Sequence, residues 1–311
     1  MQNDRYDPAL PVVKACRRAV GRMGFALAVS MGLTQLISWG LLIWLEREFP
    51  GSAENPWISL TVGTLPIYLL GMPLFWLMVR RLPYAYPLEK HRVGFGATVC
   101  FGAATYALAY VFQMTVMLGF ETLRQQTGMD YLEAMPELPG GSPLATALMV
   151  CLVGPIMEEL FFRRMVLRRL LPYGRVFAIV VSAAAFGLFH GNFFQMFMAF
   201  GIGLGLGYIT VRTGSLKHTV FMHILINTYS SVISFMLEYY PIAATVGSLV
   251  IMAVALAGVV VLVLKRRTIA YHLRPAPVDQ GRCLMQAAKS PGVWLFVLVC
   301  VGLSIWLVWG V

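Results

Sequence analysis

Apolar residues fall into blocks along this chain, separated by short charged or turn-rich breaks. The blocks cover 24–45, 57–79, 93–119, 143–162, 176–190, 194–211, 219–237, 242–264 and 293–310. A helix of about 20 apolar residues crosses a hydrocarbon layer about 30 Å thick, so the pattern predicts an all-α, polytopic transmembrane bundle of about eight or nine spans. The fifth to seventh blocks are short and closely spaced. Three segments follow from this reading. Residues 1–142 hold three N-terminal spans and an outside loop at 120–142, residues 143–240 a central core, and residues 241–311 the last spans, joined by a basic, flexible linker at 265–292.

Composition agrees. Of 311 residues, 59% are hydrophobic and 12% charged, against about 45–50% and 25% in an average soluble domain. An ordinary cytosolic enzyme is excluded, and no stretch outside the blocks is large enough to fold as a soluble domain. The first span has no small-residue cleavage site at its far end, which argues against a removable signal peptide.

The net charge of +10 would suggest nucleic acid in a soluble chain, but the cations lie in alternate breaks. With the N-terminus inside, 22 of 24 Lys and Arg fall on one side of the bilayer, leaving Arg47 and Arg124 outside. That asymmetry orients helices during insertion, so the basic balance reads as topology and contact with anionic lipid. A bacterial cytoplasmic membrane fits this pattern; a nucleic-acid partner does not. Cys16, Cys100, Cys151, Cys283 and Cys300 form no C-x-x-C pair, which points to packing residues and not to disulfides or a thiolate metal site.

Against this background, polar groups inside apolar blocks stand out. Glu158 and Glu159 interrupt the fourth block, where an ionisable group costs several kcal/mol or so and marks a functional position. The helical pattern continues to Leu171 before Pro172 and Gly174, so the helix is expected to run past the acids. Glu159 and Arg163 are four apart, the spacing of an intrahelical ion pair, whereas Glu158 points about 100° away. Glu159 therefore reads as structural and Glu158 as a carboxylate free to face a cavity. His190 ends the fifth block one turn after Phe186. His223 and Asn227 share one face of the seventh. Gly201, Gly203, Gly205 and Gly207 form two small-xxx-small pairs that allow neighbouring helices to approach closely. Glu158 and His190 reach a similar depth only if the fourth helix extends to about Leu171.

Peptide-bond hydrolysis inside the membrane uses such a set. A carboxylate and an imidazole, Glu158 and His190, activate water. A second imidazole and an amide, His223 and Asn227, stabilise the oxyanion. Glu158, His190 and His223 are equally three ligands for a catalytic zinc with an open fourth position, and residue types alone do not separate the two schemes.

Glu158-Glu159-x-x-x-Arg163, Phe186-x-x-x-His190 and His223-x-x-x-Asn227, with Thr213-Gly214-Ser215 before the last, resemble the ordered motifs of the CPBP, or Abi, family. The resemblance covers about residues 145–235. That family includes the type II CAAX prenyl endopeptidases and many bacterial membrane proteases. The resemblance implies an all-helical intramembrane endopeptidase acting on a membrane protein or peptide precursor, with the first Glu and first His as water activators and the second His and Asn as oxyanion donors. Glu159, Arg163 and Phe186 support them. Bacterial members are often labelled metalloproteases, whereas the prenyl-protease members look metal-free; the metal-free scheme is the expectation here, with zinc as the alternative. A non-catalytic peptide-binding or immunity protein, or a proton-coupled transporter, would use the same polar pocket without cleavage.

Overall fold

The computed structural model describes residues 10–85, 88, 90–128, 142–273 and 278–309. Most of the expected outside loop, at 129–141, and residues 274–277 of the expected linker lie outside them.

Among the described residues, ten helices build the fold. They are α1 (Leu10–Glu48), α2 (Pro56–Val79), α3 (Phe95–Thr127), α4 (Pro143–Tyr173), α5 (Arg175–Leu188), α6 (Phe193–Thr213), α7 (Leu216–Tyr239), α8 (Pro241–His272), α9 (Gln280–Ala288) and α10 (Pro291–Trp309). Their starts are written locally. Proline stands at the first turn of α2, α4, α8 and α10, where its missing N–H costs nothing. Asn55, Ser142, Asn192, Ser215 and Asp279 each accept a backbone N–H at an N-cap. Gly128 and Gly214 close α3 and α6 in the left-handed conformation that a side chain would strain.

Among the described residues, seven helices are long and apolar enough to span a membrane, or eight when α9 and α10, bent by 61°, count as one. The chain is an integral, multi-pass, all-α membrane protein. Leu118, Ile242, Leu256, Leu264 and Leu298 lie exposed on its outer faces, which lipid and not water accommodates. The count of eight agrees with the lower of the expected eight or nine spans, the fifth apolar block being the exception. The fifth, α5, has 14 residues, about 21 Å of helix, too short to cross alone. It ends inside the bundle.

The helix carrying Glu158 runs beyond the apolar block to Tyr173, as the pattern continuing to Leu171 predicts, so the extension needed to bring Glu158 and His190 to one depth is present. The stretch expected as a flexible linker is largely helical. Residues 265–272 continue α8, and α9 buries Cys283 and Ala287. An amphipathic face, not a lack of structure, explains its polar composition. All five cysteines are free, and all but Cys100 are buried.

The core is tightest around α6. A Cβ added to Gly201 would lie 2.7 Å from the Ala109 backbone of α3, and one on Gly205 would strike Thr105. On the opposite face, a Cβ on Gly203 would lie 2.9 Å from Ala183 of α5 and one on Gly207 3.2 Å from Ile179. The four glycines thus serve two interfaces, one pair each. This fixes α5, and with it the turn that carries His190.

Candidate active site

The helix bearing the two glutamates is not wound uniformly. It loosens to π geometry over Ala147–Val153 and again over Glu159–Leu167, with one α turn, Gly154–Glu158, between. Such segments re-aim side chains and recur at functional sites. The second junction falls between Glu158 and Glu159, and the neighbouring carboxylates end in different surroundings.

Glu159 points into the protein. Its side chain and that of Arg163 are fully buried, with Arg163 Nε 3.3 Å from Glu159 Oε2. The expected i,i+4 ion pair exists, but as a charge contact: among the described residues the guanidinium nitrogens make no hydrogen bond. Arg163 Cζ instead sits 5.0 Å over the Phe186 ring, where the ring quadrupole attracts it.

His223 of α7 lies between the two acids. Its Nδ1 is 3.1 Å from Glu159 Oε1, and its Nε2 is 3.6 Å from Glu158 Oε2. A neutral imidazole has a single N–H, so serving both oxygens takes one further proton, on the ring or on a carboxylate. Two carboxylates against one guanidinium make a set that one such proton brings to neutrality.

Glu158 faces the other way, with its side chain 26% exposed. It lines a cavity of about 450 Å³ together with Phe186 and His190. His190 sits not on α5 but in the turn after it, where its backbone N–H bonds Gly187 O at 3.2 Å. Its Nδ1 lies 2.9 Å from Phe186 O. A carbonyl only accepts, so Nδ1 carries the proton and a neutral ring keeps its lone pair on Nε2. Phe186 is the hinge of the group, its ring centroid 5.0 Å from His190 and 5.7 Å from His223.

Asn227 is one turn beyond His223. Its Nδ2 donates to Val150 O at 3.0 Å, using one of its two N–H groups on the first π segment of α4. Neither His223 nor Asn227 lines the cavity. The structure therefore brings Glu158, His190 and Phe186 to the cavity, sets Glu159, Arg163 and His223 behind them, and ties Asn227 to α4. Among the described residues, no three His, Cys, Asp or Glu side chains form a group that could hold a metal ion.

More than half of the cavity wall comes from helices that carry no motif. Thr34, Gln35 and Ser38 of α1, Thr64 and Tyr68 of α2, and Trp306 of α10 line it. The sequence reading missed them. The available signal was the same one that exposed Glu158, namely polar groups recurring within apolar spans, here uncharged and so less conspicuous.

The comparisons cover this central segment. Residues 140–229 match the family model described as Type II CAAX prenyl endopeptidase Rce1-like. The chain is also 25% identical over 113 residues to a Bacillus subtilis (strain 168) protein named "Putative membrane peptidase YdiL", an alignment covering 36% of this chain and 43% of that protein. The chain thus spans less than half the length of the curated relative it matches. No solved structure matches. The segment 140–229, which carries Glu158, His190, His223 and Asn227, is thus similar to the Rce1-like, CPBP type of membrane-protease sequence.

Proposed function

We propose that the protein is an intramembrane endopeptidase that hydrolyses a peptide bond of a membrane protein or peptide precursor with water activated by Glu158. The observation that carries this reading is the shared cavity. A carboxylate and an imidazole with a free lone pair line one chamber, large enough for a stretch of peptide. Water held between Glu158 and His190 Nε2 would lose its proton to the carboxylate as its oxygen bonds the carbonyl carbon. The proton then passes to the leaving amine. His223, against both carboxylates, keeps a proton within reach of Glu158, and Asn227 holds α7 to α4 while retaining one N–H for the oxyanion. The chemistry proposed is metal-free, with the proton of the attacking water taken by Glu158 itself.

A cytoplasmic membrane with the N-terminus inside is part of the same proposal, resting on the cation asymmetry. The test compares membranes from cells making wild type or Glu158→Gln. Peptide N-termini that appear with wild type and vanish with the variant, at equal protein level, are the expected outcome. Identical N-termini in both would remove Glu158 from the chemistry and favour a binding protein.

A further inference from the structure

We propose that Tyr68 is a further catalytic residue, its hydroxyl donating a hydrogen bond to the oxyanion formed when water attacks the substrate carbonyl. This rests on the endopeptidase reading above and adds a group from outside the family-matched segment. Three observations carry it.

Position comes first. Tyr68 lines the same cavity as Glu158 and His190. Its hydroxyl lies 3.7 Å, and Glu158 Oε1 3.8 Å, from the point where a Cβ on Gly154 would stand. Gly154 leaves that point empty, so phenol and carboxylate share one corner of the chamber. Local structure comes second. Tyr68 sits on a π turn, Ile67–Gly71, the only such turn in the described part of α2. The three π segments among the described residues thus carry Tyr68, the Val150 carbonyl that receives Asn227, and the Glu159–Arg163 pair, all packed around one site. Third, the hydroxyl is not committed elsewhere: no protein group among the described residues hydrogen-bonds it, so it adds a donor to the one N–H that Asn227 keeps beside its bond to Val150 O.

The chemistry suits a phenol. Tyrosine is uncharged at neutral pH and brings one strong donor on a stiff side chain. In the proposed step, Glu158 takes a proton from water, the water oxygen bonds the carbonyl carbon, and the carbonyl π pair moves onto oxygen. Tyr68 donates a hydrogen bond to that oxygen without giving up its proton. When the carbon–nitrogen bond breaks, the pair on oxygen returns to the carbonyl and the proton on Glu158 goes to the amine nitrogen. Tyr68 ends as it began.

The experiment uses the full chain purified in detergent and an internally quenched peptide spanning the cleavage site mapped in the wild-type and Glu158→Gln membranes. Tyr68→Phe removes one oxygen and keeps the ring. Its kcat is expected to fall about 10²-fold with KM changed less than about twofold, as for loss of one oxyanion donor. A kcat within threefold of wild type overturns the Tyr68 role while leaving Glu158 in place, provided Glu158→Gln is inactive. Absence of wild-type cleavage, or full activity in Glu158→Gln, overturns both readings. If Tyr68→Phe is lost from the membrane, fluorotyrosine at position 68 preserves volume and strengthens the donor. A change in kcat supports the role, and an unchanged kcat overturns it.

Discussion

Glu158 and Glu159 are adjacent in sequence, yet they occupy two different regions of the molecule. One side of α4 is an open chamber with Glu158 and His190 on its wall; the other is a closed pocket in which Glu159, Arg163 and His223 are almost wholly buried. Both regions hold carboxylate and imidazole. What separates them is solvent and a counter-ion: the closed region has a guanidinium 3.3 Å from its acid, and the open one has room for water. A buried charge is retained only when paired, whereas a carboxylate kept accessible to water is available for proton transfer. The same functional group therefore builds the site on one face and acts in it on the other.

The contrast breaks most sharply at Glu158. Glu158→Gln is expected to lower the cleavage rate by about 10³-fold or more, within the range that a general base contributes and somewhat beyond. Its melting temperature should stay within a few degrees of wild type, because the side chain fills one edge of a cavity. Glu159→Gln should show the opposite split. It leaves Arg163 buried without its counter-charge, so the melting temperature and the yield of folded protein in detergent are expected to drop before any rate can be compared. A variant pair with these two profiles exchanged would overturn the division between the regions.

A second experiment sharpens the closed side alone. Removing one partner of a buried pair costs about 3–5 kcal/mol, while replacing both with apolar groups of similar size is often neutral. Arg163→Met is therefore expected to destabilise strongly, and Glu159→Met with Arg163→Met to recover much of the loss in thermal unfolding. Arg163 makes no hydrogen bond among the described residues, and its contacts are Glu159 and the Phe186 ring. The recovered double variant should still lose activity, since His223 then faces Glu158 with no acid paired to its Nδ1.

How much of this was legible beforehand depends on the kind of information involved. The spans, the ion pair and the paired helix contacts of α6 follow from periods of 3.6 and 4 residues, which side-chain chemistry writes directly into the chain. Separation of Glu158 from Glu159 was visible for the same reason. The π segments were not, because their cause is tertiary. Neither was the turn at His190: the apolar run continues through Phe189, but Gly191 at φ +58° and Asn192 as N-cap end α5 and start α6 there. The cavity wall was the least legible part, being assembled from α1, α2 and α10, residues 31–72 and 303–307, more than 80 positions from Glu158 on one side and 140 on the other.

Phe186 belongs to both regions, and weakening it tests whether they are coupled. Its ring touches Arg163 on one side and both histidines on the other, and its carbonyl fixes the His190 tautomer. Phe186→Leu keeps the carbonyl and most of the volume while removing the ring. A loss of about 1–2 kcal/mol in stability, from reduced burial and the lost cation–ring attraction, is expected. The cleavage rate should fall by about tenfold, since His190 keeps its backbone bond but loses the flat surface that limits its tilt. A rate equal to wild type would mean that the chamber positions His190 without help from the closed side.

Metal removal has the smallest expected effect, and its size is informative. Catalysis by a zinc on Glu158, His190 and His223 would take His223 Nε2 from its contact with Glu158 Oε2 to the metal, while Nδ1 kept Glu159 Oε1. Purified protein dialysed against a strong chelator should then be inactive, and its melting temperature should change when zinc is restored. On the metal-free scheme, chelation leaves both rate and melting temperature unchanged, and added zinc acts only as an inhibitor by capping His190 Nε2, the lone pair that the Phe186 hydrogen bond leaves free. Retained activity at metal contents far below one equivalent would place water activation on Glu158 itself, and so on the open side of α4.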